Sequence, residues 1–278
     1  MDDARYRIAA DAAMRLSETL LAPDEQVAMN LFSAILRAPE PLAWSDGRQF
    51  LVCRSDPGSP VWAWLRPGAD GDAQQLFACI LSGRIAAGEA VQLNVPSALG
   101  PLVALAAELA GRSVRTHMAL RTYVCRRVRE PDYRGSLSAP TDADRPAMAS
   151  LLRQLVEDGD HSSIPQDEAE RFAASCVGSP NLFLWRDGGA VCAMAMVAGR
   201  TERAARINTV VTDRALRGRG YAGMLVAQLC AQLVDRGAEP MLYADAANPS
   251  SCRAYEKIGF TCVGTVTEYR TVQEKSSR

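Results

Sequence analysis

A glycine-rich turn between a predicted strand and a predicted helix constrains the fold of this chain more than any other feature. Residues 207–222 read INTVVTDRALRGRGYA, an apolar strand pattern that runs through a short loop into a helix whose first turn holds Gly218 and Gly220. Small residues let a ligand approach the backbone, and the free amides at a helix N-terminus attract anions. Arg217 and Arg219 add positive charge beside those amides. The segment predicts an α/β element with an anion site, although a tight turn without a ligand would also fit the pattern.

The spacing in this turn argues against two other phosphate-binding loops. It contains no Gly-Lys-Ser or Gly-Lys-Thr, which a Walker loop requires. It also lacks the G-x-G-x-x-G fingerprint of a dinucleotide-binding fold. The anion site, if there is one, belongs to another class.

A second segment, NPSSCRAYEKIGF at 248–260, identifies that class. Together with Thr209 to Ala222 it resembles the acetyl-CoA site of the GNAT N-acetyltransferase superfamily. The first stretch fits the family's Q/R-x-x-G-x-G/A pyrophosphate loop, and the second fits its N-x-x-S-x-x-x-Y-x-x-x-G-F segment. The resemblance covers residues 200–270, extends to 136, and over 1–130 is only topological. The chain is similar to a bacterial group of this family whose members have an additional N-terminal domain.

The resemblance implies direct transfer of the acetyl group from acetyl-CoA to a primary amine, without a covalent enzyme intermediate. The strand Ile207–Thr212 would diverge from Met241–Ala244, and pantetheine would bond to the strand backbone in the opening. A backbone N–H near Val210 would polarise the thioester carbonyl and stabilise the oxyanion. The implied cofactor-binding residues are Val210, Val211, Thr212, Arg217, Gly218, Arg219, Gly220, Tyr221, Ala222, Asn248 and Ser251.

Tyr255 is the residue that the resemblance implies for proton transfer. A positioned phenol, with an ordinary pKa of about 10, can donate to a departing thiolate whose thiol has a pKa of about 8.5. A tyrosine that only packs a helix face is the alternative.

The sequence departs from the family pattern at the position expected for the general base. Many relatives place a glutamate on the strand before the pyrophosphate loop, whereas 204–212 holds no carboxylate and Glu202 lies at a hairpin end. An attacking ammonium must first lose its proton. Asp245, at a strand end, and Glu268, on the last predicted strand, are the substitutes, and both could instead be ordinary cap or surface carboxylates.

Two halves of the chain carry a similar element pattern. The predicted strand–helix–strand at 90–128 matches the one at 241–270, which suggests two related α/β domains at 1–130 and 136–278, the first degenerate. Coincidence between common α/β elements is the alternative. The first half's loop at 65–72 places Asp70 and Asp72 where phosphates would lie, so we expect one CoA per chain. The expected fold is therefore a mixed-sheet α/β fold of the GNAT type, in tandem.

Local patterns predict several elements of the sheet and its helices. Residues 3–38 carry two helical patterns divided at Ala22-Pro23-Asp24, with Asp24 as a candidate cap. Hairpins are predicted for Gln49–Arg54 with Val61–Leu65 and, around Asp187-Gly188-Gly189, for Asn181–Arg186 with Ala190–Ala198. Trp62 and Trp64 alternate on one strand face, which indicates packing more than a ligand platform.

Composition excludes several classes of partner. The 278 residues include 31 Lys and Arg against 32 Asp and Glu, for a net charge of −1, and no basic patch is interleaved with aromatic residues, so we expect no nucleic-acid partner. The N-terminus has no signal-peptide core and the apolar runs are too short to span a membrane, which predicts a cytoplasmic protein. Neither His117 nor His161 has a partner at metal-ligand spacing, and no metal is expected.

The sequence does not identify the acceptor or the oligomeric state. A small-molecule or peptide amine fits the resemblance. The missing strand carboxylate leaves a second interpretation open, an acyl-CoA-binding regulatory or sensor module without turnover.

Overall fold

The computed structural model describes residues 4–87, 91–160 and 162–272, and chain contacts divide it into two compact units. Unit 1 is Met1–Tyr123, Tyr243–Pro249 and Cys262–Arg278; unit 2 is Val124–Leu242 and Ser250–Thr261. The predicted domains 1–130 and 136–278 are defined by the order of motifs along the chain, whereas the two units are defined by contacts. The predicted domain boundaries stay a prediction. Ala90, the first residue of the predicted repeat, and His161 lie outside the described residues.

Unit 1 is an α/β unit whose sheet has the strand order β1-β2-β3-β4-β5-β12-β6. Its strands are β1 (Arg7–Ile8), β2 (Leu42–Trp44), β3 (Phe50–Arg54), β4 (Val61–Leu65), β5 (Gln92–Pro96), β6 (Ser113–Val124) and β12 (Thr261–Val272). Its helices are α1 (Ala10–Leu20), α2 (Pro23–Ala28), α3 (Leu31–Leu36), α4 (Gly71–Ala86) and α5 (Gly100–Leu109).

Two apolar clusters lie on opposite sides of the unit 1 sheet. Val61, Ala63 and Leu65 pack into the cluster that includes α4 and α5. Trp62 and Trp64 belong to the cluster that includes α1 and α3. This alternation follows from the period of two along a strand, and it confirms that the two tryptophans pack on one strand face.

Unit 2 has the strand order β11-β10-β9-β8-β7. Its strands are β7 (Ser136–Ser138), β8 (Leu182–Asp187), β9 (Ala190–Ala198), β10 (Ala204–Thr212) and β11 (Glu239–Asp245, whose last three residues belong to unit 1). Its helices are α6 (Arg145–Asp160), α7 (Gln166–Cys176), α8 (Tyr221–Asp235) and α9 (Pro249–Ile258). The pair β10–β11 is parallel and the pairs β7–β8, β8–β9 and β9–β10 are antiparallel. The mixed α/β sheet expected from the sequence is confirmed.

The N-terminal helical prediction is wrong in two details. The second helical pattern is interrupted between Ala28 and Leu31, which gives two helices, α2 and α3. Residues 7–8 form the short strand β1 instead of a helix. Asp24 does not cap α2, because Ala22 is the N-cap residue and the Glu25 side chain accepts a hydrogen bond from its backbone N–H at 2.8 Å. Both predicted hairpins are present.

The predicted repeat has the same elements in both stretches. A strand, a ten-residue helix and a twelve-residue strand follow each other as β5, α5 and β6 and again as β11, α9 and β12. These elements are consistent with a tandem of two related halves. No helix among the described residues has the length and apolar character that crossing a bilayer requires.

Candidate active site

The strand β10 is bulged where the resemblance places the pantetheine arm. Asn208 pairs with Met196 and Val211 with Met194, so β10 has one extra residue in this stretch. Thr209 has a φ of +53°, the one positive value of a non-glycine residue among those described. A β-branched residue rarely adopts this conformation, and such strain concentrates at functional sites. The bulge changes the direction of the backbone at Thr209 and Val210.

The strands β10 and β11 separate beyond three paired residues. Ala204 to Arg206 pair with Glu239 to Met241, and within the described part of unit 2 the register ends there. The following residues of β10, from Ile207, include the bulge. A parallel pair that opens in this way exposes backbone donors and acceptors to a ligand that can extend the ladder.

The N-terminus of α8 is built for an anion. Gly220 is the N-cap residue with a φ of +84°, and because it has no side chain it cannot cap the helix amides itself. Gly218 has a φ of +79°, and residues 217–220 are exposed. A Cβ at Gly218 would meet nothing within 4 Å, and one at Gly220 would meet only Met224 Cε at 4.0 Å. The helix amides therefore face open space, with the positive end of the dipole behind them.

An ionic cluster anchors the loop between β10 and α8 to helix α6. Arg214 contacts Glu157 at 2.8 Å and Asp158 at 2.6 Å. The guanidinium of Arg217 also bonds to Asp158, and its Nε donates to the Thr212 carbonyl oxygen at 3.3 Å. The hydrogen bond from Arg214 lowers the pKa of Asp158, and Arg217 lowers it further. Arg217 thus holds the loop in place, and its charge is shared with a carboxylate.

The first residue of α8 is fixed by a partly buried hydrogen bond. The Tyr221 hydroxyl donates to Asp187 Oδ2 at 2.5 Å, and Tyr221 is 4% exposed. This hydrogen bond raises the pKa of Tyr221. Asp187, which the sequence predicts in a hairpin turn, is the last residue of β8. Its side chain also orients the start of α8.

Tyr255 lies on α9 with its ring partly buried. It packs edge-on against Phe260, with ring centroids 5.8 Å apart. Burial raises the pKa of Tyr255 to about 12, and the nearby Cys252 and Cys230 raise it further. The phenol therefore stays protonated at neutral pH.

The Gly259-Phe260 pair that ends the second motif has a structural role. Gly259 has a φ of +113°, and a Cβ there would lie 2.2 Å from the Arg127 carbonyl oxygen. The neighbouring Ile258 carbonyl accepts a hydrogen bond from Arg129 N at 2.7 Å. Only glycine permits this close approach.

Three predicted site residues, Asp245, Asn248 and Glu268, belong to unit 1. Asp245 Oδ1 accepts from Ala247 N at 2.8 Å, and its carbonyl oxygen accepts from Asn248 N at 3.0 Å, so it organises the turn before α9.

Glu268 is 7% exposed and its Oε1 accepts from Arg270 Nε at 2.7 Å, with His117 Nε2 at 3.8 Å. A role as proton acceptor would compete with these contacts. The assignment of either carboxylate as the base, like that of the other site residues, stays a prediction.

The corresponding helix of unit 1 is closed to an anion. Asp70 is the N-cap of α4, and its Oδ1 accepts from Ala73 N at 2.8 Å. Asp70 Oδ2 accepts from Gln49 at 3.0 Å. A carboxylate thus occupies the position that α8 leaves open at Gly220.

Three features of the unit 2 site could not be found from sequence patterns. The positive φ of Thr209 contradicts the propensity of its residue type. The contacts of Asp158 and Asp187 join residues 59 and 34 positions apart, and no motif signals them. Of the parts of this site, a local sequence pattern predicted the glycines at the start of α8.

Comparisons with known proteins identify a family for part of the chain. The sequence model of the acetyltransferase (GNAT) family matches residues 148–260. No curated protein matches the chain.

Solved structures extend the likeness to most of the chain. A GCN5-related N-acetyltransferase from Kribbella flavida is 14% identical with a TM-score of 0.62, covering 91% of this chain and 97% of its own. A GNAT-family acetyltransferase from Colwellia psychrerythraea is 15% identical with a TM-score of 0.58, covering 95% and 97%. A GCN5-related N-acetyltransferase from Sphaerobacter thermophilus is 15% identical with a TM-score of 0.57, covering 95% and 93%.

At these identities the likeness concerns the fold alone, but it reaches into the first 130 residues, where the sequence resemblance is only topological. Residues 148–260 match the acetyltransferase (GNAT) family, and over most of its length the chain has a fold similar to those of solved GNAT-family structures.

Proposed function

We propose that the protein is an N-acetyltransferase that moves the acetyl group of acetyl-CoA directly to a primary amine in a ternary complex. The observation that carries the proposal is the exposed N-terminus of α8, which begins at Gly220 in the left-handed region and follows the bulged strand β10. Acetyl-CoA supplies an activated acyl group as a thioester.

The binding roles follow from which backbone groups are presented. The amides from Gly218 to Ala222 would hold the pyrophosphate, since the helix dipole and the exposed glycines favour an anion there. The backbone of Val210 and Val211, beside the bulge, would bond to the pantetheine amides. Arg217 would act mainly by fixing the loop, because Asp158 already shares its charge.

Tyr255 would serve the sulfur of the leaving group as a hydrogen-bond donor. Its pKa of about 12 lies about 3.5 units above that of a free thiol, so complete proton transfer to the thiolate is uphill by about 5 kcal/mol. A neutral phenol can still stabilise developing negative charge on sulfur. The final proton would come from solvent.

The acceptor amine needs a proton acceptor, and β10 supplies no carboxylate. Asp245 and Glu268 stay the candidates. Asp245 is partly exposed and uses one carboxylate oxygen in its turn, whereas Glu268 is buried against Arg270. A small-molecule or peptide amine is the proposed acceptor class, and a cytoplasmic location stays part of the proposal.

An acyl-CoA-binding module without turnover is the second candidate. The absence of a carboxylate from residues 204–212 favours it. The presence of Tyr255 at the motif position of the proton donor favours catalysis.

A screen of amines separates the two candidates. The full chain is incubated with acetyl-CoA and a panel of alkylamines, polyamines, amino sugars and short peptides; acetylated products are read by mass spectrometry and CoA thiol release is followed. We expect amine-dependent release of CoA thiol with at least one class of amine.

The variant Tyr255→Phe is assayed in the same screen. Tyr133→Phe, at an exposed tyrosine of the same unit, is its matched control. Acetyl-CoA binding without an acetylated product across the panel would support the non-catalytic module.

A further inference from the structure

Unit 1 contains a cavity of about 160 Å³ that the proposed reaction does not use. Its wall is mostly apolar and includes one carboxylate. The residues that line the cavity include Glu25, Met29, Trp64, Pro96, Gly264 and Val266. An engineered cavity of about 150 Å³ can hold a benzene ring, so a ligand of about eight non-hydrogen atoms fits this volume.

The cavity lies where two parallel strands separate. Val61 pairs with Leu93 and Trp62 with Asn94, and the described register of β4 with β5 ends there. Trp64 and Pro96, which line the cavity, lie two residues beyond this last pair. The same arrangement, a short parallel ladder that then opens, occurs for β10 and β11 in unit 2. Unit 1 thus has an opening between these strands, although its helix α4 is capped by Asp70.

Glu25 is held in a fixed orientation at this cavity. Its Oε1 accepts from Trp64 Nε1 at 3.0 Å, and its Oε2 accepts from Ala22 N at 2.8 Å. Both donors are neutral, so neither offsets the charge of the carboxylate. Glu25 is half-buried, whereas Trp64 and Met29 beside it are 1% and 2% exposed. A preorganised negative charge therefore borders an apolar cavity that opens to solvent.

We propose that this cavity is a second small-molecule site, which binds a primary ammonium with a compact apolar body. The ammonium would donate to the remaining lone pairs of Glu25, a charge-assisted hydrogen bond. The apolar body would pack against Ala28, Pro96 and Val263, which line the cavity and are partly exposed. The carboxylate repels anions, and Asp70 already occupies the helix terminus that a nucleotide would need. None of its lining residues is among those proposed for acetyl-CoA, and this proposal does not rest on the proposed function.

Benzylamine, with eight non-hydrogen atoms, is the probe, and its titration into the full chain is followed by calorimetry. For a ligand of this size we expect a Kd of about 1 mM. Benzyl alcohol, its neutral counterpart, should bind at least about tenfold more weakly, because it lacks the charge.

Glu25→Gln removes the charge and keeps one acceptor oxygen, which can serve the Trp64 indole N–H or the Ala22 amide but not both in their present geometry. We expect it to weaken benzylamine binding at least about tenfold. Glu18→Gln, at an exposed position of α1, makes the same charge change and should bind as wild type does. Gly264→Ala keeps the charge and narrows the cavity, since its methyl group would lie 3.7 Å from Ala28 Cβ, an ordinary contact. It should also weaken binding.

Three results would overturn the proposal: no saturable binding up to about 10 mM benzylamine, equal affinity for benzyl alcohol, or unchanged affinity in Glu25→Gln. The thermal shift with acetyl-CoA, measured in Glu25→Gln, should equal that of wild type. If Glu25→Gln lowers the unfolding midpoint so far that binding cannot be measured, Gly264→Ala decides, and unchanged affinity in that variant then counts against the site.

Discussion

Replacing Gly220 by alanine should separate backbone strain from ligand binding at the start of α8. Gly220 has a φ of +84°, so any residue with a Cβ is strained there by roughly 1–2 kcal/mol. Gly237 follows the other end of the same helix with a φ of +78°, and a Cβ there would meet nothing within 4 Å. Gly237→Ala is therefore a matched control for strain. Both variants should unfold a few degrees below wild type, at about 2–4 °C per kcal/mol.

The two variants should differ only when acetyl-CoA is added. At about 100 times its Kd, a ligand stabilises the folded state by about 2.7 kcal/mol. The added methyl group of Gly220→Ala would occupy the space in front of the helix amides and displace a phosphate oxygen, at a cost of about 1.4–2.7 kcal/mol. Affinity should fall about 10- to 100-fold, which leaves about 0.4–1.4 kcal/mol of stabilisation at the same concentration.

Thermal unfolding with and without acetyl-CoA measures this directly. Wild type and Gly237→Ala should show the same ligand-induced shift, and Gly220→Ala a much smaller one. Equal shifts in all three proteins would refute the assignment of the pyrophosphate to the N-terminus of α8.

Three further variants test other parts of the site. Tyr255→Phe should lower turnover by about 10²-fold and leave acetyl-CoA affinity nearly unchanged; equal turnover, measured where chemistry limits the rate, would reduce Tyr255 to a packing residue. Gly259→Ala should lower the unfolding midpoint far more than Gly237→Ala, because its Cβ would lie 2.2 Å from the Arg127 carbonyl oxygen; similar midpoints would show that the 127–129 segment can move away. Asp158→Asn should lower stability at neutral pH. Since its pKa is lowered by Arg214, the contribution of Asp158 is present above the ordinary value of about 3.9 and is lost as the pH falls below it. The difference between wild type and Asp158→Asn should therefore shrink below about pH 4, and a constant difference from pH 6 to pH 3 would contradict the role of its charge.

Local patterns predicted the parts of the fold that depend on neighbouring residues. The Asp187-Gly188-Gly189 hairpin and the glycine entry to α8 are present because these residues adopt the turn and left-handed conformations that other residues disfavour. The alternation of Trp62 and Trp64 likewise follows from the strand period alone.

Features that depend on residues far apart in the chain were not predictable in this way. Strand β12 pairs with β5 across about 170 residues, with Val266 opposite Pro96, and no periodicity encodes such a partner. Asp158 binds Arg217, so a charge assigned to the ligand from the sequence is shared within the protein. Helix α2 ends at Ala28 and α3 begins at Leu31, with no proline or glycine between them to signal the break, so tertiary packing overrides the local helical pattern.

Calorimetric titration of acetyl-CoA into the full chain tests the central claim, that the open helix terminus of unit 2 binds the cofactor and the capped terminus of unit 1 does not. We predict a stoichiometry near one per chain, with the binding heat lost or strongly reduced in Gly220→Ala and retained in Asp70→Asn. A stoichiometry near two, or saturable binding that Gly220→Ala leaves unchanged, would contradict it.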